Sequence, residues 1–149
     1  MPLLSDTLLE ILSQLNRTST DIQASAIVSH DGLVMAALLD KSIDEDHVAA
    51  MSTAIYAQAN RLLREVQFGE LRQVLVKGEQ GYALVTVAGQ QAFLLTLCQK
   101  NASLGFIFLS CARSAQKIAA TGIAKPRPRM GLVYLGSGQT FAKDVTLSK

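Results

Sequence analysis

The placement of proline is the feature that most constrains how this 149-residue chain can fold. The three prolines are Pro2, Pro126 and Pro128, so none interrupts residues 3–125. Because proline removes a backbone hydrogen-bond donor and breaks helices and central strands, the block between them can form continuous regular structure. Glycine and short polar segments then have to supply its turns. The pattern predicts one domain of ordinary size with a C-terminal segment of different character.

Helical and extended patterns follow each other in a simple order along the central block. Apolar residues recur at helical spacing in residues 4–15, 45–67 and 104–120, which predicts three helices. The first half of the third segment also fits a strand, because it contains Gly105 and the β-branched Ile107. Short apolar runs predict five strands, at 24–29, 33–38, 71–77, 82–87 and 91–98. The order helix, two strands, helix, three strands, helix predicts an α+β domain. We expect a five-stranded antiparallel sheet with the first and last helices on one face and the long middle helix on the other.

The middle helix is apolar over an unusually broad arc. One face is marked by Val48, Met51, Ile55, Leu62 and Val66. A second set widens it, namely Ala49, Ser52, Tyr56, Ala59 and Leu63. A helix of this kind usually contacts two neighbours rather than one. Ser42 or Asp44 is the expected N-terminal cap, and Gly69 is the expected left-handed residue at the C-terminal end.

Composition and charge divide the chain in two. Apolar residues make up 49% and charged residues 17%, which excludes a disordered, solvated polypeptide. Residues 1–120 are slightly acidic, whereas residues 121–149 carry five basic groups and one acid. We therefore expect a domain at 1–120 and a basic tail at 121–149 that contains Pro and Gly and is flexible or holds one short strand at Leu132–Leu135. No apolar stretch is long enough to span a membrane and the chain opens without a signal peptide, so we expect a cytoplasmic protein.

Residues that carry enzyme chemistry are scattered rather than clustered. The chain lacks a phosphate-binding Walker loop and a dinucleotide fingerprint. His30 and His47 are far in sequence from Cys98 and Cys111, so no zinc-ligand spacing is present. We expect His30 to be a surface residue of a hairpin turn and both cysteines to be reduced core residues. The prediction is a protein that is not an enzyme, with no catalytic residue, metal or cofactor.

A series of short motifs occurs in a characteristic order. The first is the hairpin Ala26–Val34 with its Asp-Gly-Leu turn, followed by an acidic segment and an Ala-Ala-Met helix at 44–51. The later motifs are Gly-Glu-Leu at 69–71, the strand at 73–76, Gly-Glu-Gln-Gly-Tyr at 78–82 and Asn-Ala-Ser-Leu-Gly at 101–105. Over about residues 5–120 this set resembles the roadblock family, which includes dynein light chains and bacterial MglB-like regulators of Ras-like GTPases. The resemblance implies the profilin-like architecture of that family.

The resemblance also implies a homodimer that acts by binding. In the family, the third strands of two subunits pair and their second helices pack together. This implies dimer-interface candidates at Ala49, Ser52, Ala54, Tyr56, Ala57, Leu63, Leu71, Gln73 and Leu75. The implied partner is a small Ras-like GTPase, with Arg61, Arg64 and Arg72 as candidate contacts. Two alternatives stay open: a small-molecule sensor of the PAS or GAF type, which needs an internal pocket, and a scaffold without a GTPase partner.

Overall fold

Three helices and a five-stranded sheet form in the predicted order. The computed structural model describes residues 3–123, 130–134 and 140–144. The helices are α1 (Leu4–Thr18), α2 (Glu45–Glu65) and α3 (Leu104–Ile118). The strands of the sheet are β1 (Ile22–Ser29), β2 (Val34–Leu38), β3 (Gln73–Lys77), β4 (Gly81–Ala88) and β5 (Ala92–Gln99).

The sheet is antiparallel throughout, with the strand order β2-β1-β5-β4-β3. β1 and β5 occupy the centre, where Ile27 lies opposite Leu94. β3 has a single neighbour, β4, and pairs with it from Gln73–Thr86 to Lys77–Tyr82. The other side of β3 is therefore an open edge of the sheet.

Each face of the sheet packs against its own helical layer, as predicted. α1 and α3 cover one face in a core that includes Leu12, Ile27 and Leu94. α2 lies on the other face, over a smaller core that includes Val28 and Phe93. Because both faces are covered, the central strands carry buried apolar residues on both sides instead of on alternate positions only.

The two ends of α2 are capped differently from each other. The Asp44 carboxylate accepts a hydrogen bond from the His47 backbone N–H at 3.1 Å, so Asp44 is the N-cap. At the other end, Gln67 has φ 64° and is the first residue in the left-handed region. The Phe68 N–H donates to the Leu63 carbonyl at 2.8 Å and closes the helix. The prediction that Gly69 makes this cap was wrong, although Gly69 also has a positive φ.

The chain leaves α3 through a wide helical turn, Ala119–Ile123. Beyond it, β6 (Met130–Tyr134) and β7 (Thr140–Asp144) pair as a separate two-stranded antiparallel sheet. The tail thus contains two strands, whereas the sequence predicted a tail that is flexible or holds one short strand, and the first begins two residues earlier than Leu132. Leu135 lies outside the described residues. The domain boundary at residue 120 stays a prediction.

Candidate interaction surface on α2 and β3

α2 leaves a large apolar face uncovered. Its buried residues are only Ala49, Ser52 and Asn60. Met51, Ile55, Leu62 and Val66 are all exposed, Leu62 to 62%. Their spacing of four, seven and four residues places them along one side of the helix, and we call them the α2 stripe. Exposed apolar patches of this kind mark interaction sites.

β3 adds an open backbone edge to this surface. Val74 packs into the core beneath α2, and strand alternation puts Val76 on the same face of the sheet. Val76 is exposed. An edge strand presents unpaired N–H and C=O groups that can pair with another strand. The α2 stripe therefore offers apolar contact, and the β3 edge offers backbone hydrogen bonds.

The interface candidates named from the resemblance fall into three groups. Ala54 and Ala57 are exposed on α2. Ala49, Ser52 and Leu71 are buried within the chain's own fold, so they have almost no surface to present to a second copy.

The remaining four candidates, Tyr56, Leu63, Gln73 and Leu75, are half-buried. Gln73 is held on the α3 side, where its amide donates to the Thr86 hydroxyl at 3.2 Å and to the Phe108 carbonyl at 3.3 Å. Leu75 packs against the α1–α3 core. Gln73 and Leu75 therefore offer their strand's backbone edge rather than their side chains.

A buried amide fixes α2 relative to the start of β3. The Leu71 backbone N–H donates to Asn60 Oδ1 at 2.8 Å, and both residues are buried. Above it, the exposed Arg64 guanidinium forms two hydrogen bonds to the Glu70 carboxylate, at 2.9 and 3.2 Å. These bonds raise the pKa of Arg64 and lower the pKa of Glu70. The helix and the edge strand are thus joined at one end by two separate contacts.

Three stacked rings join α2 to the centre of the sheet. The His30 ring centroid lies 4.4 Å from that of Tyr56 of α2 and 6.3 Å from that of the buried Phe93, and the Tyr56 and Phe93 centroids are 5.7 Å apart. His30 Nε2 donates to the Ala92 carbonyl at 3.2 Å. Burial lowers the pKa of His30, although the bond to Ala92 and the charge of Asp31 oppose the change. The expectation of a surface histidine was wrong, because the turn folds the ring back under α2.

The three candidate arginines differ in whether their side chains already form an ion pair. Arg64 is held by Glu70. Arg61 and Arg72 are exposed, and within the described part of the chain neither has an ion-pair partner. Only Arg61 and Arg72 are therefore available to a partner without first breaking a contact.

A large groove on the described part of the molecule is open rather than enclosed. A groove of 680 Å³ lies between the α2–β3 connection and the end of α3, bounded by Phe68, Leu71 and Ala119. It is open to solvent, whereas a sensor-type pocket buries most of its ligand.

Cys98 and Cys111 are buried, and burial raises the pKa of Cys98 to about 11, so neither is a reactive thiolate at neutral pH.

The described residues contain neither a metal-binding cluster nor a membrane-spanning helix. No group of three His, Cys, Asp or Glu side chains is placed to hold a metal ion in that part of the chain. Among its helices, none combines the length and apolarity needed to cross a membrane.

Comparison with known proteins identifies the family. The model of the Roadblock/LC7 domain matches residues 8–98, which run from α1 to the end of β5. The chain belongs to the Roadblock/LC7 family. The uncharacterized protein MJ1340 of Methanocaldococcus jannaschii is 37% identical over 110 residues, covering 74% of this chain and 95% of that protein. The resemblance found in the sequence is therefore confirmed.

Solved structures share the Roadblock/LC7 fold of this chain. A Roadblock/LC7 domain from Streptomyces avermitilis superposes with a TM-score of 0.70 at 24% identity, covering 75% of this chain and 94% of that one. The gliding protein MglB from Thermus thermophilus superposes with a TM-score of 0.74 at 20% identity, covering 84% and 93%. At these identities the likeness shows the fold.

Proposed function

We propose that this Roadblock/LC7 protein is a homodimeric interaction module that binds and regulates a small Ras-like GTPase. The observation that carries the proposal is the α2 stripe, a row of large apolar side chains left uncovered on a helix that the Asn60–Leu71 hydrogen bond joins to the start of the open edge strand. A two-fold interface uses the same patch on both subunits. One surface of this kind can therefore be covered by a second copy of the chain. MglB, a protein of similar fold, has been solved in a tetrameric arrangement, which supports self-association.

In the proposed dimer, the two β3 edges pair and the two α2 helices lie side by side. Antiparallel pairing of β3 with its copy satisfies the open backbone groups and extends the sheet across both subunits. The exposed Ala54 and Ala57 have short side chains that let the helices approach closely. Covering the α2 stripe removes its apolar area from water, at about 25 cal/mol per Å².

The GTPase is proposed to bind at the paired α2 helices. A partner accelerates hydrolysis either by inserting an arginine or by ordering the GTPase's own catalytic groups. Arg61 lies within α2 and Arg72 just before β3, and neither projects on a long loop. We therefore expect the dimer to bind and position the GTPase's mobile loops, with Arg61 and Arg72 contributing affinity rather than the catalytic charge. Scaffolding without a GTPase is the alternative.

In the experiment, the full-length protein is immobilised and captures partners from its native lysate. The lysate is supplied beforehand with GDP or with a non-hydrolysable GTP analogue. We expect a Ras-like GTPase to be retained in one nucleotide state. Ile55→Glu should abolish retention, because it places a charge in the α2 stripe. Leu9→Glu on α1 is a matched control, since Leu9 is exposed to 38% and Ile55 to 37%, and it should retain the GTPase.

Hydrolysis by the captured GTPase then separates the two mechanisms. We expect the wild-type protein to alter the GTP hydrolysis rate, and Arg61→Ala or Arg72→Ala to weaken binding while leaving the rate at saturation unchanged. If either arginine variant loses the acceleration at saturation, that residue acts by insertion. Failure to retain any Ras-like GTPase in either nucleotide state would contradict the regulator role and leave scaffolding.

A further inference from the structure

Negative charge is absent from a long part of the sequence. Residues 80–143 contain no aspartate or glutamate, although 12 of the 149 residues are acidic. The same stretch contains seven lysines and arginines. Three of these cations, Lys100, Arg113 and Lys117, lie in the described domain. The surface formed by α3 therefore carries positive charge without acidic side chains of its own.

α3 presents apolar and cationic groups in a row on its outer side. Phe106 and Leu109 are exposed to 46% and 49%, and Arg113 and Lys117 are exposed further along. Spacings of three or four residues place these four side chains on one side of the helix, and we call them the α3 row. Neither cation has an ion-pair partner among the described residues.

A small groove runs beside the α3 row. It has a volume of 200 Å³, lies between α1 and α3, and contains Phe106 together with Arg113 and Lys117. The rest of its lining comes from Gln14, Leu15 and the hydroxyl-bearing residues Thr18, Ser110 and Ser114. It is smaller than the pockets of about 300–1,000 Å³ that enclose drug-sized ligands. The groove matches a small group that is anionic at one end and apolar at the other.

We propose that the α3 row is a docking surface for an anionic phospholipid bilayer. Arg113 and Lys117 contact the headgroup phosphates, and the groove between α1 and α3 admits one headgroup. Phe106 and Leu109 enter the boundary between headgroups and acyl chains, where aromatic and aliphatic side chains of interfacial helices reside. Cations near an anionic leaflet each add to the attraction, and long basic side chains reach towards the phosphates.

A bilayer fits the α3 row better than other polyanions do. A nucleic acid backbone would use the two cations but would leave the exposed Phe106 and Leu109 without an apolar contact. An acidic helix would need an apolar groove wide enough to hold it, and the groove here is too small. A bilayer contacts the cationic and the apolar side chains of the row at the same time.

The α3 row and the α2 stripe lie on opposite faces of the sheet, because α1 and α3 cover one face and α2 the other. Membrane contact through α3 therefore leaves α2 and the β3 edge accessible. The proposal does not depend on the GTPase partner.

The test is sedimentation of the full-length protein with large unilamellar vesicles at low salt. We expect binding to vesicles of phosphatidylcholine that contain phosphatidylglycerol as the minor lipid, and little binding to phosphatidylcholine alone. Arg113→Ala with Lys117→Ala should lower the partition coefficient about thirtyfold, since each surface cation contributes roughly a factor of five. Lys41→Ala with Lys77→Ala removes the same charge from exposed positions elsewhere and should change it less than threefold.

Phe106→Ser separates apolar insertion from charge. It should lower binding several-fold without changing the net charge, and circular dichroism should show α3 intact because the side chain is half-exposed. Three outcomes would overturn the proposal. The first is equal binding to both kinds of vesicle. The second is an equal loss of vesicle binding in the two double variants. The third is binding to duplex DNA or polyglutamate without binding to the anionic vesicles.

Discussion

Asn60 joins α2 to the start of β3 through one buried hydrogen bond, from the Leu71 N–H at 2.8 Å. Asn60→Ala leaves that N–H buried without its acceptor, and we expect the free energy of unfolding to fall by about 1–3 kcal/mol. Gln58→Ala, on the exposed side of the same helix, should change it by less than about 0.5 kcal/mol. Urea unfolding measures both. Equal unfolding midpoints for the two variants would show that the hydrogen bond does not hold α2 in place.

His30 should make stability depend on pH. Burial lowers its pKa below the ordinary value of about 6.5, so between the two pKa values the unfolded chain binds a proton that the folded chain does not. The free energy of unfolding therefore rises with pH through that window, and the contribution is complete above about pH 6.5 and lost as the pH falls.

A comparison of variants isolates this contribution. His30→Phe keeps an aromatic ring but cannot titrate, so its stability should fall less than that of the wild type between pH 7 and pH 5. His47→Phe alters the exposed histidine and should keep the wild-type dependence. Chemical unfolding at several pH values measures each difference. Parallel curves for wild type and His30→Phe would contradict the role assigned to the half-buried ring.

At this scale the sequence predicted one of the two ends of α2. Asp44, one of the two N-cap candidates, forms the cap, and such a cap is a local property of a few residues. The stack of His30, Tyr56 and Phe93 brings together three separate elements, and local patterns hold no signal for such contacts. Gln67 displaced Gly69 as the C-terminal left-handed residue because the helix ends at Glu65, four residues before the glycine, and this depends on how α2 packs.

At the scale of elements, the β4–β5 pair depends on a close approach at Gly81. A Cβ atom there would lie 2.6 Å from the Cys98 carbonyl oxygen, which is backbone and cannot turn aside. Gly81→Ala should therefore lower the melting temperature by several degrees. Gly105→Ala is the control, because that position in α3 has open space around it and alanine favours helix by about 0.5–1 kcal/mol. A Gly81→Ala protein as stable as Gly105→Ala would contradict the tight pairing.

The broad apolar arc of α2 shows what periodicity can and cannot decide. It correctly indicated a long helix with more apolar surface than one neighbour covers. Both of its faces satisfy helical spacing, so the pattern could not say which one meets the sheet. The structure puts Ala49 and Ser52 inward and the large Met51 and Leu62 outward. Small residues let α2 lie close to the sheet, and the large ones are left for another contact.

At the scale of the molecule, the layer arrangement followed from element order and from the absence of internal proline. Sheets apolar on both faces need two helical layers, and three helices can supply them. The second tail strand escaped prediction because residues 140–144, Thr-Phe-Ala-Lys-Asp, are short and lack the β-branched density that marks a strand. The candidate surface was foreseen only in outline, since exposure depends on tertiary packing.

The central claim is that α2 and the β3 edge form a self-complementary interface, and the mass in solution tests it most directly. Light scattering at micromolar concentration should give twice the chain mass of 16.0 kDa for the wild type and for Leu9→Glu. Ile55→Glu should give the mass of a single chain with an unchanged circular dichroism spectrum, because it places an uncompensated charge in the apolar contact. A wild-type protein that stays monomeric at every concentration, or an Ile55→Glu protein that stays dimeric, would contradict the account.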